Sequence, residues 1–284
     1  MTMTIAKFRP LLAGAFLALA AATSPVLAAG GEPEPPRFTW SFGGPFGMYD
    51  RAQLQRGFQV FKEVCSSCHA AELLSFRNLS QRGGPEFTPA QAQVIASEWQ
   101  HKVREIGDDG QPAERTPRLA DRIPGPFPNK KAAETANGGK APPDLSLMVK
   151  ARTYERGFPR FVFDIFTTYQ EQGADYMKAF LTGYKDPPAG VEPPPGASYN
   201  EYYPGHFVAM PNILQDGLVT YSDGTEATVK NYSADVTSFL MWAAEPHLEQ
   251  RKRMGFQVIL FLIVFASLLY YTKKRVWSNV EGHA

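Results

Sequence analysis

Both cysteines of the chain fall in one five-residue run, Cys65-Ser66-Ser67-Cys68-His69. Two thiols three positions apart with an imidazole next to the second form the c-type haem attachment signature. The spacing has a physical reason. One helical turn presents both thiols to the two vinyl groups of a single haem, and the next residue brings its imidazole beneath the iron. The run therefore predicts one covalent haem c, held through Cys65 and Cys68, with His69 as the proximal iron ligand. A thioredoxin-like redox pair would need a βαβ pattern around the motif and has no use for the histidine. Here the sequence reads as a helix before the motif and a loop after it.

A haem that only passes electrons takes a second axial ligand. Of the eight methionines, Met1 and Met3 stand in an N-terminal leader and Met254 beside an apolar C-terminal run, which leaves Met48, Met148, Met177, Met210 and Met241. Met177 and Met241 lie in helical stretches and are read as core packing. Met210 closes the irregular segment Tyr203-Pro204-Gly205-His206-Phe207-Val208-Ala209-Met210-Pro211, whose prolines and glycine suit an extended backbone holding a thioether against the far haem face. His206 is the alternative and would give bis-histidine ligation. His101 and His247 fall in polar, helix-like runs and are read as solvated.

The elements that must position these groups can be read as well. Asp50 is a good N-cap with Gln53 three residues on, and Leu54, Phe58, Phe61 and Val64 share one stripe, so residues 51–64 are expected to form an amphipathic helix delivering the motif. Gly57 beside Phe58 leaves room for a second helix. The candidate has Ser233 as N-cap, then Val236, Phe239, Leu240 and Ala243 at helical spacing, and stops before Pro246. With 24 Gly and 24 Pro, the chain should be a mainly α, cytochrome c-like haem domain with long irregular loops. Residues 107–131 are read as one such loop, draped over the haem. Asp108 and Asp109 lack the ligand spacing of a calcium loop. Two cysteines exclude a disulfide-dense scaffold and any four-cysteine zinc or iron–sulfur site.

Two segments bound this domain. Residues 1–28 carry Lys7 and Arg9, an apolar run and then small residues, the three regions of a cleavable signal peptide, with the cut expected after Ala28 or Ala29. Gly255–Tyr271 has no charge and is flanked by Arg251-Lys252-Arg253 and Lys273-Lys274-Arg275. It is read as one C-terminal transmembrane helix. The expected organisation is thus 1–28 signal peptide, 29–250 exported haem domain, 251–275 anchor with basic flanks, and 276–284 cytoplasmic tail. Taking Lys7, Arg9 and the six flanking cations from 29 Lys+Arg leaves 21, and taking Glu281 from 28 Asp+Glu leaves 27, so the outer domain carries about −6. Such a surface suits a basic soluble partner and not a nucleic acid.

Several further segments carry a family resemblance. The haem motif, Asn137-Gly138-Gly139 with Pro142-Pro143-Asp144-Leu145-Ser146, Leu181-Thr182-Gly183-Tyr184, Tyr203-Pro204-Gly205 with Ala209-Met210-Pro211, and Trp242-Ala243-Ala244-Glu245-Pro246 before Arg251-Lys252-Arg253-Met254-Gly255 occur in the order found in the cytochrome c1 family. The chain resembles that family over roughly residues 38–277, and its leader and short linkers resemble a bacterial member. The resemblance implies Met210 as the axial methionine and Arg152 as partner of a haem propionate, a role suited to a guanidinium facing a carboxylate drawn from water. It also implies Asn137, Pro143 and Tyr176 as further haem contacts. Residues 157–173 stand as an insertion relative to the mitochondrial pattern, expected to be held by packing of Phe158, Phe161, Phe163 and Phe166.

The function implied is the electron-transfer subunit of the quinol–cytochrome c reductase, the bc1 complex. Its partners would be cytochrome b and the Rieske iron–sulfur protein, with a soluble basic cytochrome c as acceptor. The location implied is the bacterial inner membrane with the haem domain on the periplasmic side. An oxidase or nitric oxide reductase haem subunit would share the motif and anchor but not the Pro-Pro-Asp-Leu-Ser or Trp-Ala-Ala-Glu-Pro segments. A haem sensor or peroxidase would need an exchangeable sixth position.

Overall fold

Residues 34–278, apart from 155 and 168, are described by a computed structural model. The expected signal peptide and most of the expected tail lie outside the described residues. Within them the α-helices are α1 (Arg51–Glu63), α2 (Pro89–Ser97), α3 (Lys130–Ala136), α4 (Met148–Ala151), α5 (Arg160–Thr167), α6 (Gln172–Thr182), α7 (Val229–Ala244) and α8 (Leu248–Trp277). Six short strands, β1 (Ala71–Ser75), β2 (Val103–Ile106), β3 (Pro112–Arg115), β4 (Arg122–Ile123), β5 (Ser198–Tyr199) and β6 (Phe207–Val208), form antiparallel pairs β1–β4, β2–β3 and β5–β6. The fold is mainly helical, with long connections.

Helix α1 starts as the sequence predicts, with the Asp50 carboxylate accepting the Gln53 N–H at 3.1 Å. The Gln53 side chain does not close the box onto its own cap. It crosses to Asp235 on α7 instead, at 3.1 Å. Leu54, Gly57, Phe58, Val60 and Phe61 form the buried stripe. A Cβ on Gly57 would stand 2.0 Å from the Asp235 carbonyl oxygen and 2.8 Å from the Phe239 Cβ, so α1 and α7 cross in backbone contact that only glycine allows. Phe58 and Phe61 then meet Phe239 and Trp99 in an aromatic cluster, with ring centroids 5.5–6.4 Å apart.

Helix α7 begins five residues earlier than its apolar pattern suggests. Thr228, not Ser233, is the N-cap, and Asp216 takes the Val229 N–H at 2.7 Å. Ser233 is buried inside the helix, and its hydroxyl donates to the Lys230 carbonyl. The stop before Pro246 is where it was expected.

Three loop expectations change. The chain after the motif enters strand β1 and a 3₁₀ turn, Phe76–Ser80. The stretch read as a loop from 107 is in part the β2–β3 hairpin, paired from Val103 and Arg115 to Ile106 and Pro112, and further on β4 pairs with β1. Asp109 serves as a turn residue there, accepting the Gln111 N–H at 3.0 Å, and among the described residues no cluster of three acidic, histidine or cysteine groups could hold a metal ion. In the insertion, the phenylalanines do not pack inward. Asp164 faces the body, paired with Arg37 at 3.3 Å and Arg156 at 2.7 Å, and the aromatic side of α5 points out.

Helix α8 runs 30 residues, about 45 Å at 1.5 Å per residue, and is long and apolar enough to cross a membrane. Its first turns belong to the body. Leu248 is buried, and Glu249 accepts both Arg51 Nη atoms at 2.8 Å and the Tyr49 N–H at 2.9 Å.

Candidate functional site

The motif sits where α1 ends and one 3₁₀ turn, Cys65–Ser67, begins. The Cys65 carbonyl accepts two backbone donors, Cys68 N–H at 3.2 Å and His69 N–H at 2.9 Å, which coils the run so that both thiols and the imidazole come from one turn. Ser66 is fully buried. Its hydroxyl donates to the Lys62 carbonyl at 2.7 Å and accepts from Gln100 Nε2 at 2.6 Å, and its carbonyl accepts from His101 Nε2 at 2.7 Å. His101, read as solvated, is thus a brace of the cysteine loop, and it also stands edge-on to Trp99. The contact spans 35 residues, so no local spacing marks it.

Burial, with the neighbouring Cys68 second, pushes the Cys65 thiol up to about 12. Burial likewise lowers the His69 pKa, against the opposing pull of the Pro143 carbonyl and the Asp144 charge. The Pro143 carbonyl accepts from His69 Nδ1 at 2.7 Å. A carbonyl can only accept, so the proton is on Nδ1 and Nε2 keeps its lone pair for a metal.

Pro143 is itself held by the residues that follow it. The Leu145 N–H donates to the Ala70 carbonyl at 2.9 Å, Asp144 accepts the Glu72 N–H at 2.7 Å and the Ser146 N–H at 2.8 Å, and Ser146 Oγ accepts the Leu73 N–H at 3.0 Å. The Pro-Pro-Asp-Leu-Ser segment is therefore stitched along the four residues after His69. Asp144 and Ser146 are supports that sequence reading did not assign.

Met210 follows the β5–β6 ladder and packs, half-buried, against the same hydrophobic core that Cys65 borders. Tyr184 donates to its carbonyl at 3.1 Å. Asn200, fully buried, ties the ladder to α6 through the Phe180 carbonyl at 2.8 Å. His206 is engaged elsewhere: its ring stacks on Tyr199 at 5.4 Å and its Nδ1 lies 3.2 Å from the Asn200 carbonyl. Met177 and Met241 are buried in the core, and Met48 is exposed.

The other expected contacts are spread more widely. Arg152 caps α4 with its side chain exposed, and its guanidinium has no protein partner among the described residues. Asn137 caps α3 and spends its amide on the Ala133 carbonyl at 2.7 Å. Tyr176 is buried on α6, stacked on Phe180. Backbone contact places α6 against α4: a Cβ on Gly173 would meet the Val149 carbonyl oxygen at 1.8 Å.

The donor set fits a covalent haem. It offers two free thiols on one turn, an imidazole whose Nδ1 is fixed and whose Nε2 is unengaged among the described residues, and a thioether on a separate segment packed against the core.

Comparison with known proteins points the same way. The family model described as Cytochrome C1 family matches residues 40–280. The chain is 56% identical over 251 residues to "Cytochrome b/c1" of Bradyrhizobium diazoefficiens, covering 88% of this chain but 36% of that longer protein. It is 51% identical over 263 residues to "Cytochrome c1" of Blastochloris viridis, covering 93% of each. It is 40% identical over 247 residues to "Cytochrome c1, heme protein, mitochondrial" of Saccharomyces cerevisiae, covering 87% of this chain and 73% of that one.

Proposed function

The chain belongs to the cytochrome c1 family, the haem-bearing electron-transfer subunits of the bc1 complex, and on that premise we propose that it relays single electrons from the Rieske iron–sulfur protein to a soluble basic cytochrome c. Cytochrome b and the Rieske protein are its partners in the membrane. Residues 1–28 direct export, residues 29–250 form the haem domain on the periplasmic side of a bacterial inner membrane, 251–275 anchor it, and 276–284 form a cytoplasmic tail.

The observation that carries this reading is the His69 Nδ1–H bond to Pro143 beside two free thiols on one turn. Cys65 and Cys68 would attach the haem, His69 and Met210 would be its axial ligands, and Arg152 would pair a propionate. Pro143, Asn137 and Tyr176 would line it, with Asn137 limited by the bond its amide already makes. When bound, the haem supplies a one-electron ferric/ferrous couple.

The protein's part is positioning and medium. Pro143 fixes the imidazole tautomer and ring angle, and the bond raises ligand basicity. Met210, a weak neutral donor, favours the reduced state and so a high potential, as does apolar packing that penalises added positive charge. His69 and Met210 would together hold the iron, leaving no residue-free position for oxygen or peroxide to enter.

An optical redox titration of the purified protein tests this, in the wild type and in Met210→Leu. The expected result is a high-potential, low-spin spectrum whose weak near-infrared iron–thioether band disappears in the variant. A wild type without that band, or an unchanged variant, removes Met210 from the site and makes His206 the ligand to test.

A further inference from the structure

Helix α5 has its polarity reversed relative to a soluble surface helix. Its one acidic residue, Asp164, is buried against Arg37 and Arg156, while Phe161, Phe163, Ile165 and Phe166 are 51%, 63%, 69% and 80% exposed, and Phe158 just before the helix is 82% exposed. Arg160, at the start of the helix, stays exposed and pairs with Glu34 at the surface. A helix in water shows the opposite arrangement, so this one is built to face an apolar medium.

The chain that follows fixes which medium. Gln170, three residues past the end of α5, accepts from Arg251 Nη2 at 3.3 Å, and Glu171 accepts the Gly44 N–H at 3.0 Å. Three residues reach at most about 10 Å, so the end of α5 lies close to the basic collar at the head of the anchor. A cavity of about 260 Å³ opens there, lined among others by Phe46, Gln170, Arg251, Lys252, Phe256 and Ile259. Phe46, 72% exposed, stands edge-on to Phe256 at 5.7 Å, so a second aromatic group projects at the anchor's level. Aromatic side chains ringed by arginine and lysine are the chemistry of a membrane–water interface.

We propose that α5 is an interfacial membrane helix, its aromatic face bedded at the headgroup–acyl boundary of the bilayer beside α8. The proposal rests on the reading that α8 spans the membrane. Together the two would hold the domain to the bilayer at two points, so that it cannot swivel about a single helix.

The test uses the full chain in its native membrane complex, with phospholipids carrying a photoactivatable diazirine either near the glycerol end or near the methyl end of the acyl chain. Peptides containing 158–166 should be labelled by the shallow probe at a yield comparable to the outer turns of α8, and several-fold less by the deep one. A Phe161→Ser/Phe166→Ser variant should lose that labelling several-fold with its haem spectrum unchanged. Labelled α8 with unlabelled 158–166 overturns the proposal and assigns the aromatic face to a protein neighbour. If α8 is unlabelled as well, the spanning reading has failed.

Discussion

Helix α1 is gripped by charges along its N-terminal half and by neutral groups at its C-terminal end. Arg51 holds Glu249 of α8 with two bonds, and Arg56 bridges Asp235 and Asp223, each at 2.8 Å. At the other end, Ser66 is fixed by the Lys62 carbonyl, the Gln100 amide and the His101 ring, and His69 by a carbonyl. Asp144, the carboxylate whose charge acts on His69, is exposed and spends its oxygens on backbone N–H groups. Ion pairs can join an anchor to a body at little functional cost. At the cysteine loop the direct bonds to Ser66 and to the His69 ring are made by carbonyls, an amide and an imidazole rather than by ion pairs.

The largest break in this contrast should come at Arg56. Arg56→Leu removes the guanidinium from the nearly fully buried Asp235 carboxylate, leaving it neutral partners such as Gln53, and should cost about 3 kcal/mol by urea unfolding. A loss under about 1 kcal/mol would mean that the pair is not what ties α1 to α7.

At the neutral end, Ser66→Ala or His101→Leu should each cost about 1 kcal/mol, less than additively when combined because the two share Ser66. The midpoint potential should stay close to wild type. A large potential shift in His101→Leu would show that this brace does more than hold the loop, and the contrast between the two ends would fall.

The smallest effect concerns Glu245, paired with Lys150 at 2.6 Å and Arg251 at 2.5 Å. Burial alone would raise its pKa, but the two cations outweigh burial and hold it below the usual value. Its contribution is therefore complete above about pH 4.3, the unfolded value, and is lost as pH falls through the lower folded value. Glu245→Gln should flatten the acid limb of stability and leave neutral pH changed by less than about 1 kcal/mol. An acid limb identical to wild type would place the acid sensitivity elsewhere.

The sequence made the chemistry legible because haem attachment is written locally: five residues, one turn, two thiols. The α1–α7 crossing was legible for a similar reason, since Gly57 inside an apolar stripe announces a close approach. The supports were not. Gln100, His101, Asp144 and Ser146 act across 34 to 73 residues, mostly through backbone atoms that every residue type carries, so side-chain identity says little. The start of α7 was missed because Thr228 and Ser233 are both acceptable caps and the choice is made by Asp216. The aromatic run at 158–166 misled for a different reason. Apolar residues were assumed to seek the protein interior, whereas Asp164 is the side chain drawn inward.

The bond between His69 and Pro143 also bears on how this site meets genetic change. The acceptor is a main-chain oxygen, so no substitution at position 143 deletes it. What mutation can reach is the path of the chain, through Asp144 and Ser146 on one strand and Ala70 to Leu73 on the other. A library randomised at 143 should retain more haem-competent members than one randomised at 144 or 146, which makes the residue touching the ligand more forgiving than the two that merely keep it in place.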